Sequence, residues 1–96
     1  NKPVNAEEAL SLGLVNAVVP PEKVLDEAMN LARELAQGPT GAFGRTKQLL
    51  NQSFSTPLQE HLHDEARLIT ISGSTSDFAE GTTAFTEKRK AKFTGK

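Results

Sequence analysis

Between Glu22 and about Ala36, Val24, Ala28, Leu31 and Leu35 recur at helical spacing, with Leu25 and Ala32 beside them. A stripe with that period cannot lie flat as a strand, and the rest of the chain follows suit. "NAEEALSLG" reads as a short helix in which Asn5 is the cap, Glu8 returns the favour and Gly13 ends it in the left-handed conformation. The Glu22–Ala36 run carries Glu22, Asp26 and Glu27 in its first half, where the helix dipole favours acids, and "QGP" stops it at Gly38 and Pro39. A third helix is expected from about Thr40 to Ser53, with Phe43, Thr46, Leu50 and Phe54 on one face, Leu49 alongside, and Gly41 and Gly44 loosening its first turn. "STPLQEHL" predicts a fourth: Thr56 as cap, Pro57 in the first position and Gln59 completing a capping box. Its stripe is Leu58, Leu62, Ala66 and Ile69, with Leu68 and Ile71 off the stripe, so more than one neighbour is expected. "SGSTSD" interrupts the pattern. Ser74, Thr75 or Ser76 then caps a last helix through "DFAEGTTAFTEKR", which Gly81 is expected to divide into two short pieces. Only "LVNAVVP" reads as extended, with nothing to pair with.

The expected fold class is therefore all-α, with about five helices in at most one domain. Hydrophobic residues make up 36% of the 96 residues and aromatics 5%, without Trp or Tyr, which suits a small helical core better than a β-sandwich. No cysteine is present, so disulfides, thiolate chemistry and Cys-based zinc sites are excluded. No apolar run approaches the roughly 18 residues of a membrane helix, and no secretory signal opens the chain. Asn1 in place of Met is expected of a piece of a longer protein, although processing produces such an end too.

Few residues offer chemistry. His61 and His63 in "EHLHDE" stand at i, i+2, which splays them by about 200° around a helix, where zinc binding wants i, i+4. The reading preferred for them is a solvated face, with His61 and Glu65 as an i, i+4 pair, and no metal site. The carboxylates are single and near helix starts, none inside an apolar run, so no catalytic acid is assigned. No Gly-x-Ser-x-Gly elbow and no phosphate-cradling loop appear.

Charge is distributed unevenly. From Thr86 onward five Lys or Arg face one Glu, a net +4, whereas residues 1–85 hold six basic against eleven acidic residues, a net −5. A basic tail over 86–96 predicts an anionic partner, with Lys88, Arg89, Lys90, Lys92 and Lys96 for phosphates and Phe85 or Phe93 against a flat ring. The competing reading is a frayed, solvated end. Asn1–Pro3 and Lys92–Lys96 are expected to be mobile. Nucleic acid is disfavoured, because the remainder of the chain would repel it.

"AEEALSLGLVNAVVP", "LARELAQGPTGAFGRTKQLLNQS" and "SDFAEGTTAFTEKRKAKFTGK" together resemble the C-terminal part of the enoyl-CoA hydratase/isomerase (crotonase) superfamily, over essentially all 96 residues. Many members have Pro where Ala91 stands. The resemblance implies a C-terminal helical part, for trimerisation and as a lid, of a crotonase-like fold whose N-terminal ββα-spiral core, with its enolate-stabilising N–H groups, is absent here. It implies acyl-CoA thioesters as substrates, CoA as the carrier with no tightly bound cofactor, that core domain as a partner, and assembly as a homotrimer or hexamer. A cytoplasmic or mitochondrial-matrix setting, with no nucleic acid and no membrane, goes with it. By position it makes Phe85 the aromatic that touches CoA, Lys88 the cation that approaches its phosphates, and Ile69 a hydrophobic residue near the acyl pocket. The alternative is a stand-alone helical interaction or oligomerisation module whose tail binds an acidic partner. Since no oxyanion loop or buried acid is legible, the 96-residue chain alone is expected to give no turnover of a short enoyl-CoA. Activity above background that survives repurification would contradict this.

Overall fold

A computed structural model describes residues 2–96. Five α-helices are formed, with no strand among the described residues: α1 (Ala6–Ser11), α2 (Val24–Ala36, entered through a 3₁₀ turn at Pro21–Lys23), α3 (Thr40–Gln52), α4 (Leu58–Gly73) and α5 (Ser76–Thr86). The all-α expectation and the helix count hold. Contacts group the chain into one unit up to Leu31 and a second from Ala32 to Lys96.

In the first unit α1 is closed at both ends as its residues predict. The Asn5 side-chain oxygen accepts the Glu8 N–H at 2.8 Å. At the other end Gly13 adopts φ +71°, its N–H reaching Leu10 O and the Leu14 N–H reaching Ala9 O. Those two bonds are a Schellman cap, which a left-handed residue alone permits. The segment after it forms no regular structure and reaches the Pro20–Pro21 pair, where the 3₁₀ turn begins.

The second unit is organised by α3 and α4. Gly38 ends the run after α2 for a steric reason: a β-carbon there would lie 2.5 Å from the Phe43 ring, which folds over it. The Arg45 Nε donates to Ser72 Oγ at 2.6 Å, and Ser72 donates in turn to Leu68 O, so one hydroxyl joins the two helices. Leu68 is only 5% exposed. This corrects the expected stripe: the α4 face that is covered carries the half-buried His61, Asp64 and Ser72 together with Leu68, while Leu58 and Ile69 stay 74% and 62% exposed. The solvated-face reading of His61 is corrected too, since its Nδ1 is buried without a hydrogen-bond partner and Glu65 is exposed.

The capping box of α4 does not form. Pro57 takes the cap position with extended backbone (φ −54°, ψ 143°), and its carbonyl accepts the first helical bond, from His61 N–H, at 2.9 Å. Proline offers no side-chain acceptor, and Thr56 falls one residue outside the helix. Thr75 is the cap of α5, accepting the Phe78 N–H at 3.1 Å. That helix runs unbroken through Gly81, contrary to expectation. The Phe93 ring lies over the helix there, at a distance (3.5 Å from the position of a β-carbon) that is ordinary packing contact.

Gly13→Ala should destabilise its unit by about 1 kcal/mol, because a β-carbon is strained at positive φ. Urea unfolding of the two proteins side by side measures it; equal midpoints would refute the account of the α1 cap.

Candidate functional site

The α5 helix and the residues after it form one continuous feature. At the C-terminus of α5 a second Schellman cap appears: Lys88 N–H reaches Phe85 O at 3.2 Å and Arg89 N–H reaches Ala84 O at 3.0 Å. The left-handed residue is Lys88, with φ +55°, where α1 uses glycine. A lysine held in this conformation costs about 1 kcal/mol relative to glycine, and it persists only because its surroundings determine it.

Those surroundings are three carboxylates. Glu80 receives both Arg89 guanidinium nitrogens, Nη1 at 2.7 Å and Nη2 at 2.9 Å, in a two-pronged pair, and its Oε1 also accepts the Lys92 N–H at 2.7 Å. Glu87 accepts from Arg89 Nε at 2.6 Å. Asp77, only 7% exposed, accepts the Thr94 N–H at 2.7 Å, the Gly95 N–H at 2.8 Å and the Thr94 hydroxyl at 3.3 Å. The Asp77 N–H and the Ser76 hydroxyl donate to the Lys96 main-chain oxygen at 2.9 and 2.7 Å. Gly95, at φ +80°, brings the backbone so near α3 that a β-carbon would meet Thr40 Oγ1 at 2.8 Å. The expected loose end at Lys92–Lys96 is therefore corrected: unpaired main-chain amides are collected by buried or half-buried carboxylates of α5. (Of the other segment expected to be mobile, Asn1 lies outside the described residues.)

The hydrogen bond from Arg89, then that from the Lys92 amide, holds the Glu80 carboxyl down to about 2 from 4.5, and the same pairing raises the Arg89 guanidinium above its ordinary range. Arg89 thus stays charged, and its charge is balanced by Glu80 and Glu87. Among the described residues, no ion pair involves Lys88, Lys90, Lys92 or Lys96.

Beside the clasp lies an apolar groove of about 580 Å³. Pro39 and Arg45 contribute to one side, Phe78 and Phe85 of α5 to another, and Phe93 and Lys96 come from the returning tail. Phe85 is 87% exposed, a large apolar ring left in water one turn from Lys88. Phe85 and Lys88 are thus brought to one end of one helix. Ile69 stands apart on the uncovered face of α4 and does not line the groove. Among the described residues no three His, Asp or Glu gather where a metal ion could be held, and no helix is long and apolar enough to cross a membrane.

The residues that sequence reasoning missed are Asp77 and Glu80. Their i, i+3 spacing on the last helix was visible, but half of the hydrogen bonds they accept come from backbone N–H groups, which no side-chain pattern displays.

The family model described as enoyl-CoA hydratase/isomerase matches residues 1–96. The chain belongs to the enoyl-CoA hydratase/isomerase family. A probable enoyl-CoA hydratase of Rhodobacter capsulatus is 40% identical over 93 residues, 97% of this chain and 36% of that protein. The 1,2-epoxyphenylacetyl-CoA isomerase of Escherichia coli is 38% identical over the same shares of the two chains. The crystal structure of an enoyl-CoA hydratase from Polaromonas sp. JS666 superposes with a TM-score of 0.86 at 32% identity, covering 95% of this chain and 35% of that one. The chain therefore spans about 36% of the length of these curated hydratase/isomerase relatives.

Acidification should release the clasp. Because the Glu80 carboxyl is depressed when folded, its contribution is present above pH 4.5 and is lost as pH falls towards 2. A carbon-detected NMR titration should find Glu80 changing charge near pH 2, with exchange protection of the Lys92 amide lost in the same window; a midpoint near 4.5 would refute the pairing.

Proposed function

We propose that this chain is the assembly and CoA-contacting part of an enoyl-CoA hydratase/isomerase acting on acyl-CoA thioesters. The observation that carries this reading is the exposed Phe85 ring one turn before an unpaired Lys88, in a chain of this family. CoA presents a flat ring and several phosphate charges. An exposed aromatic suits the first, and the compact ammonium of a lysine suits the second. In this reading CoA is the carrier half of the substrate, and no tightly bound cofactor is involved.

The reacting end of the substrate would be served elsewhere in the full-length protein. There, main-chain donors would stabilise the enolate-like oxyanion while water is added or a proton is moved. This chain contributes no catalytic residue. Its uncovered apolar surface, Leu58, Leu62 and Ile69 on α4 with Leu50 within α3 and Phe54 after it, supports covering by the N-terminal core and by other subunits of a homotrimer or hexamer. Ile69 would meet the acyl part of the substrate only through that assembly. The setting in this reading is the cytoplasm, or the mitochondrial matrix in a eukaryote.

Lys88→Ala in the full-length protein should raise KM for an enoyl-CoA about fivefold with little change in kcat, since a contact remote from the thioester is felt equally in ground and transition states. The effect should shrink as salt rises. The control is the same acyl group carried on pantetheine, for which the substitution should be silent. Phe85→Ala should cost more. Equal losses with both carriers, or none with either, would refute the phosphate contact.

A further inference from the structure

The cations of the stub are of two kinds. Arg89 is spent on Glu80 and Glu87. Lys88 pairs with nothing, yet it occupies a left-handed position that glycine would fill with less strain. A non-glycine residue at such a φ is held there by its surroundings, and such positions cluster at functional sites. Of the two carboxylates on Arg89, Glu80 alone also holds the backbone: it grips the guanidinium of the next residue and the N–H of Lys92 three residues further on. The Arg89 N–H at the same time closes the helix cap onto Ala84.

We propose that Glu80 is a positioning residue for ligand phosphate: by clamping Arg89 and the Lys92 amide it holds the left-handed turn that presents Lys88. This rests on the CoA-contact reading above and adds to it a role for an acidic residue that touches no ligand. The proposal makes a prediction opposite in sign to simple electrostatics. Removing a negative charge close to a phosphate site should, by Coulomb's law alone, tighten binding of the anion. Removing a clamp should weaken it.

The test is a double-substitution cycle in the full-length protein, with KM and kcat measured for an enoyl-CoA and for the same acyl group on pantetheine. Glu80→Gln should raise KM for the CoA substrate about threefold, Lys88→Ala about fivefold, and the double variant no more than Lys88→Ala alone, because both changes act on one contact. The pantetheine substrate and kcat should be unmoved throughout. A lowered or unchanged KM for Glu80→Gln, effects that multiply in the double variant, or equal losses with both carriers would overturn the positioning role. A silent Lys88→Ala would instead overturn the CoA-contact reading, and the present proposal with it. Should Glu80→Gln fail to assemble, Glu80→Asp, which keeps the charge but shortens the reach to Arg89 and the Lys92 amide, takes its place in the cycle: charge alone predicts an unchanged KM, and the clamp predicts a raised one.

Discussion

The geometry of the C-terminal third depends on carboxylates that accept main-chain N–H groups. A segment with the composition of residues 87–96 has too few apolar side chains to fold by burial, and its amides would otherwise be left to water. Asp77 and Glu80 take four hydrogen bonds from Lys92, Thr94 and Gly95, and Glu80 adds the two-pronged pair with Arg89. Once these are made, Phe93 is brought over Gly81, Gly95 is pressed against Thr40, and the groove acquires its third wall. Acidic residues thus give a cationic stub its shape.

Charge and aromatic placement divide the labour within the stub. Phe93 is half-buried and packs on α5, while Phe85 stays in water; Arg89 is bound internally, while Lys88 is not. A count of basic residues cannot make this distinction, because it treats every lysine and arginine as equally available. The pairing also accounts for Arg at 89: a planar fork matches the two Glu80 oxygens, which an ammonium could not do.

What could be read from the residues was whatever depends on short-range spacing. Helix periods, the Asn5 cap, the left-handed Gly13 and the Thr75 option all involve partners within five residues, and all five helices were legible. Phe85 and Lys88 stood among the aromatics and cations of the stub, and resemblance singled them out; they lie one turn apart at the end of α5. The failures involve competition or distance. At α4, Pro57 displaced Thr56 from the cap. The stripe through Leu58 and Ile69 is periodic but uncovered, because α3 lies on the adjacent face with Leu68 and Ser72. Gly81 looked like a break, yet the helix continues through it, and the ring that lies over it comes from Phe93, 12 residues onward.

The clasp is also short in sequence. Glu80 and Arg89 are nine residues apart, and Asp77 and Gly95 are 18 apart, so the loops they close carry little chain entropy. Contacts at that range form in well under a microsecond once the helix is present, far faster than pairings between distant segments. The turn bearing Lys88 is therefore a local product of the last 21 residues from Ser76 to Lys96. Every hydrogen bond that closes that turn lies within those residues, so its shape is encoded in a single short stretch of sequence.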